Sequence, residues 1–204
     1  MNAASRISRG SVGAVAIAAA MGGMTPGCGE KVPQGGRPDV AIVPVAPITF
    51  VFHNSTGSAV YVDWVGMRAP MRVLRDHKEL RTHPGCDPLC ASQCACLACP
   101  TPAHRVLRLD DGAELRMEWE ATVYELHKCA ADPACSCVEP WPATAGAYAV
   151  SLAGAAGVIG GVPDPVDSRI LNEATLDSAA PGCQASADFE LVGAAEVKVQ
   201  FTCE

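Results

Sequence analysis

From Ile48 onward, apolar and polar residues alternate in short runs, the period of strands that bury one face. Ile48, Phe50 and Phe52 alternate with Thr49 and Val51; after the turn-forming HNSTGS, Val60, Val62 and Trp64 alternate with Tyr61 and Asp63. These two runs read as a hairpin. Leu107 and Leu109 alternate with Arg108 and Asp110, and beyond the turn DDG the residues Leu115, Met117 and Trp119 face a core while Arg116, Glu118 and Glu120 face water. Tyr148, Val150 and Leu152 repeat the pattern, as do Phe189 with Leu191, and Val197, Val199 and Phe201. With Met71 to Arg75 included, about eight strands are predicted. A helical turn or two is expected only around Asp167 to Leu176.

Many short strands with Gly-rich turns and no interleaved helices predict an all-β fold, an antiparallel two-layer sandwich forming one domain over residues 48–204. The stretches LRLDDGAELRMEW and GAYAVSL resemble strand edges of immunoglobulin-like bacterial surface domains. The first is also similar to an edge in small bacterial proteinase-inhibitor domains.

Ahead of the domain, Arg6 and Arg9 precede an uncharged stretch from Val12 to Met24, which reads as a signal peptide over 1–27. It falls short of the roughly 20 residues that a helix needs to cross a bilayer. Met24-Thr25-Pro26-Gly27-Cys28-Gly29 resembles the lipobox of bacterial lipoproteins: Gly27 and Cys28 match, Thr25 and Pro26 depart. That resemblance implies lipidation at Cys28 and a membrane anchor made of lipid. The alternative is ordinary secretion with cleavage after Ala18-Ala19-Ala20. Residues 28–47, rich in Gly and Pro, read as a flexible tether.

The chain holds 11 cysteines; setting Cys28 aside leaves an even number for pairing. Cys86, Cys90, Cys94, Cys96 and Cys99 lie in one insertion, residues 82–104, and Cys129, Cys135 and Cys137 in another, residues 127–142. Asp-Pro-x-Cys, a turn signal, occurs at Asp87 and again at Asp132. Cysteines two apart cannot bridge one another without severe strain, so Cys94/Cys96 and Cys135/Cys137 must reach elsewhere, most simply from one insertion to the other. The alternatives are a Zn²⁺ or Cu⁺ cage of thiolates and a redox pair at Cys96/Cys99. Only Cys96/Cys99 has zinc-knuckle spacing, and no βαβ setting surrounds it, so disulfides are the expectation and no cofactor or metal is assigned. Cys183 and Cys203 flank a C-terminal hairpin. Pairing Leu191 with Ala195 and Phe189 with Val197 places Cys183 opposite Cys203, within bridging reach.

Other chemistry is sparse. The five histidines form no His-x-x-x-His pair, His83 beside Cys86 being the one weighed as a ligand. No Gly-x-Ser-x-Gly or phosphate loop is present. Asp164 and Asp167 are too few for a Ca²⁺ site and read instead as a Pro-containing turn. Without residues 1–27 the chain carries 13 basic and 22 acidic side chains, which argues against nucleic acid as a partner.

Lipobox, tether, sandwich and Cys-rich insertions together resemble the uncharacterised cysteine-rich lipoproteins of GC-rich bacteria. This implies a lipid-anchored protein on the extracytoplasmic side of the cell envelope, with the membrane and an unknown protein or surface ligand as partners. The expectation is a non-enzymatic binding or structural module. A soft-metal or thiol-redox protein, or a proteinase-inhibitor-like domain, are the alternatives.

Overall fold

The computed structural model describes residues 46–65, 70–91, 94, 96, 99–192 and 196–204, all within the unit Val40–Glu204. The expected signal peptide, Cys28 and the tether up to residue 45 lie outside the described residues.

The described residues form strands and no helix, as the alternation requires. In chain order they are β1 (Ile48–His53), β2 (Val60–Asp63), β3 (Arg72–Arg75), β4 (Lys78–Leu80), β5 (Arg105–Leu109), β6 (Glu114–Trp119), β7 (Thr122–Lys128), β8 (Ser136–Pro142), β9 (Ala147–Ala155), β10 (Val158–Pro163), β11 (Ile170–Leu176), β12 (Gly182–Glu190) and β13 (Glu196–Cys203). Thirteen strands thus replace the eight expected. A continuous path runs β10-β11-β5-β2-β9-β12-β13-β1-β6, with the β3–β4 hairpin attached to β9, while β7 and β8 pair only with each other among the named strands.

The path turns over at β13, whose residues 196–200 pair with β1 and whose residues 201–203 pair with β12. The β1–β13 ladder is parallel, whereas every other ladder is antiparallel. Folding the path there brings the inward faces of β1, β6 and β13 against those of β9 and β12, and their aromatic rings meet. Phe50 meets Phe189 edge-on at 5.3 Å, Tyr148 stacks on Phe189 at 5.7 Å, and Trp119 lies 5.7 Å from Tyr148. The Tyr148 hydroxyl donates to Thr144 O at 2.6 Å, four residues upstream. Fully burying one such large apolar side chain contributes about 1.5–3 kcal/mol, so this cluster is a substantial part of the sandwich's stability. At Gly154 a Cβ would lie 2.6 Å from Tyr61 O, so the absent side chain is what lets β2 approach β9.

Three expectations are corrected. β1 and β2 do not form a hairpin: β1 lies between β13 and β6, and β2 between β5 and β9. The linking turn is held at the crossing by Asn54, fully buried, whose Nδ2 donates to Ser58 O and Leu109 O and whose Oδ1 accepts from Thr56 N and Oγ1. The segment expected to hold a helical turn is strand β11, laid between β10 and β5; Glu173, at φ 58°, interrupts its alternation. The C-terminal hairpin forms with the expected register only at Cys183↔Cys203 through Ala185↔Phe201, after which β13 leaves β12 for β1. Gly193 and Ala195 of the expected loop lie outside the described residues.

Candidate functional site

The chain leaves the sandwich after Trp119 through Ala121, at φ 50°, and runs out along β7 and back along β8. The second Cys-rich segment is therefore mostly one β-hairpin, and only its tip is a loop. At that tip Cys135 N donates to Asp132 O and Ala134 N to Asp132 Oδ1, so the Asp-Pro there makes the turn it signals. Pro140 and Pro142 sit opposite Tyr124 and Thr122. Cys129 N bonds Cys135 O and Ala143 N bonds Ala121 O, and in the alternation these set, both prolines occupy positions that need no N–H toward β7.

The first insertion docks on this hairpin. Leu89 forms a parallel bridge with Val138, Val138 N donating to Pro88 O and Cys90 N to Val138 O. Disulfides Cys90–Cys137, Cys94–Cys129 and Cys96–Cys135 then cross from one insertion to the other, and Cys86–Cys99 closes the first upon itself. The two Cys-x-Cys pairs thus reach across, as their spacing demanded. Cys183–Cys203 is the fifth bridge, in the main core. Cys129, Cys135, Cys137 and Val138 are buried yet lie outside the main core cluster, so this lobe is packed on its own bridges.

Charge completes the docking. Arg81 donates to His83 O at 3.1 Å, to Pro84 O at 2.6 Å and to Asp87 Oδ2 at 2.5 Å, while the Asp87 Oδ1 accepts from Ser136 Oγ at 2.7 Å. Tyr124 N on β7 donates to Arg81 O. Gly85, at φ 69°, leaves room for the Arg81 guanidinium, which would lie 3.1 Å from a Cβ there. No sequence signal singled out Arg81 or Ser136, since both are isolated polar residues far from their partner Asp87 in function though not, for Arg81, in number.

Hydrogen bonds from Ser136 and from Arg81 hold the Asp87 carboxyl below the ordinary aspartate range. A lowered folded-state pKa means stability that is present above the unfolded value, about 3.9, and is lost as pH falls through the folded one. Reduction of the lobe's bridges by a phosphine should therefore accelerate below about pH 4 in the wild type. Asp87→Asn should be fast already at pH 6 and change less on acidification. Equal pH profiles for the two proteins would contradict this role.

The sulfurs of Cys96 and Cys135 lie within 4.8 Å of an Asp132 carboxylate oxygen, a grouping that suits a soft cation when the sulfurs are thiolates. Here those sulfurs are bonded to one another. The redox pair weighed at Cys96/Cys99 is likewise divided, each cysteine bridging a different partner. His83 Nδ1 accepts from Gly85 N at 2.6 Å and so serves a turn. Asp164 accepts from Val166 N, Asp167 N and Asn172 Nδ2, and Asp167 is gripped by Arg169, which holds its pKa down to about 2. Both carboxylates face N–H donors, as the turn reading has it.

Between lobe and sandwich lies an open groove of about 1060 Å³. Met117, Trp119 and Tyr124 line it together with Pro84, Pro100 and Pro102, and so do Glu118 of β6 and Glu120 just after it. The Cys86–Cys99 bridge borders it, so the groove's wall is fixed covalently.

No protein-family model, curated protein or solved structure matches the chain. No described helix is long and apolar enough to cross a membrane.

Proposed function

We propose that this chain is a non-enzymatic binding module, displayed on the extracytoplasmic side of the cell envelope and anchored by lipid at Cys28. The supporting observation is the rigid lobe: four bridges and the Arg81–Asp87–Ser136 contacts hold two insertions as one wall of an apolar groove beside an all-β core. A mainly apolar and aromatic lining, with polar groups such as His83, Glu118 and Glu120 set into it, suits recognition of a ligand. Five disulfides belong in an oxidising compartment. The anchor rests on the lipobox-like residues and the immunoglobulin-like kinship on the two sequence stretches quoted above, to which the Tyr148–Thr144 bond is similar in kind to a tyrosine corner.

Replacing Tyr124 with a photoreactive phenylalanine analogue in the intact chain tests the binding reading. A discrete cross-linked product is expected from this groove position and not from Lys198 on the opposite sheet face. No product from the groove would sink it. For the anchor, Cys28→Ala should move the protein from the membrane to the soluble fraction, because stable attachment takes about two acyl chains and the apolar run of the tether, Val40 to Ala46, is far shorter than the roughly 20 residues that span a bilayer. A variant that stays membrane-bound would show a different anchor.

A further inference from the structure

We infer that the groove takes an extended, basic segment of a partner protein, added as a strand along the outer edge of β6; this rests on the binding reading above. β6 ends the sheet path, and no described strand pairs with its outer side. Asn54 N donates to Ala113 O, which by alternation makes Phe52/Leu115 and Phe50/Met117 the hydrogen-bonded pairs of the β1–β6 ladder. The N–H and C=O groups of Arg116 and Glu118 therefore turn outward, two residues apart, as a template for an incoming backbone.

The side chains decide what can use that template. Glu114, Arg116 and Glu118 stand on the solvent face, while Met117 and Trp119 point to the inner side, toward the groove. Arg116 is already taken by Glu114 and Glu196. Glu118 and Glu120 have no ion-pair partner among the described residues. A second copy laid on this edge would bring carboxylates toward carboxylates, in a chain whose net charge is −7. A cationic strand meets the opposite situation. Its Lys or Arg residues fall beside Glu118 and Glu120, which line the groove with their exposed carboxylates, and the alternate apolar residues fall beside the half-buried Met117. The fit is thus to a basic–apolar alternation of five or six residues, read by backbone bonds for affinity and by charge for choice.

The test uses the intact oxidised protein and a blocked, fluorescein-labelled octapeptide, Thr-Lys-Val-Lys-Phe-Arg-Val-Thr, followed by fluorescence anisotropy. Saturable binding is expected. Glu118→Gln with Glu120→Gln should weaken it by about fivefold, the scale of two exposed ion pairs. The same peptide with Glu in place of its basic residues should bind at least as poorly. N-methylation of alternate peptide amides, which blocks strand addition and leaves every charge, should weaken binding more than tenfold. Equal affinity of the N-methylated peptide overturns strand addition, and equal affinity of the double glutamine variant overturns the charge selection. A concentration-dependent dimer abolished by Glu118→Pro would assign the edge to a second copy and overturn the proposal. Failure of the octapeptide while the Tyr124 position still cross-links a partner overturns this inference and leaves the binding reading standing; failure of both removes the reading beneath it.

Discussion

Asn54→Ala is expected to lower the stability of the sandwich by about 3 kcal/mol. The side chain is completely buried, and its amide supplies the donors for Ser58 O and Leu109 O, at 2.7 and 2.8 Å. Its carbonyl oxygen receives Thr56 twice. Alanine fills neither role, so Leu109 O loses its Asn54 donor in a closed space and Ser58 O keeps only the longer bond from Thr56 Oγ1, at 3.1 Å; each lost bond costs about 1–3 kcal/mol, part of which water entering from the turn recovers. The turn concerned carries the chain from β1 across to β2 and is tied to the β5–β6 turn through Gly57 N and Asp111 Oδ1. Loosening it therefore weakens two connections together. Asn54→Asp should be no milder, since it keeps the acceptor, loses both donors and buries a charge. Denaturant unfolding of both variants reads the effect. A loss under about 1 kcal/mol for alanine would show that the two carbonyls are satisfied without Asn54.

Removing the bridges should divide the molecule into two parts of different character. Replacing the six cysteines of Cys90–Cys137, Cys94–Cys129 and Cys96–Cys135 with serine is expected to free the lobe and spare the sandwich, because those cysteines are absent from the aromatic core cluster. Amides of Cys90, Val138 and Cys135, now held in the lobe, should exchange rapidly, while those along the β9–β12 ladder stay protected. Replacing Cys183 and Cys203 with alanine should do the reverse. That bridge joins β12 to β13 across 20 residues of sequence and lies at the core, so its loss lowers global stability by about 3 kcal/mol on the chain-entropy estimate and leaves lobe exchange slow. Hydrogen exchange read by mass spectrometry separates the outcomes. Loss of protection along β9 and β12 in the six-serine variant would mean that lobe and sandwich unfold as one.

What the sequence shows and what it hides follow from one distinction: alternation tells which face a residue takes and leaves open which strand lies beside it. Phe50, Phe52, Tyr148, Val150, Leu152, Val197 and Val199 are buried as the period requires. The partner of β1 was not legible, because a six-residue turn serves a hairpin or a crossing equally well and the buried Asn54 makes it a crossing. In β11, Ile170, Leu171 and Ala174 have helix-like spacing because Glu173 breaks the period of two. β10 is masked by Gly160 and Gly161, and β8 by prolines whose positions are tolerable only once its pairing is known. For the cysteines, local sterics excluded bridges within each Cys-x-Cys and pointed across the insertions, whereas the choice among the crossings depended on the parallel docking of Leu89 on Val138. The groove could not be read at all, since β6, β7 and both sides of the Cys86–Cys99 bridge contribute to it from separate parts of the chain.

The double pairing of β13 sets an order on the birth of the fold. As the chain lengthens, cysteines 86–137 form a closed set that needs nothing from later residues, so the lobe can oxidise correctly while the rest is still being made. β1, among the first residues of the domain to appear, has only β6 beside it until Glu196–Cys203 arrives. The earliest strand therefore waits for the last. Contacts so distant in sequence make closing the sandwich slow, and until then one edge of β1, with Phe50 and Phe52, stands open to other chains. The segment with the greatest hazard of misassociation during synthesis is thus the one that ends most deeply buried.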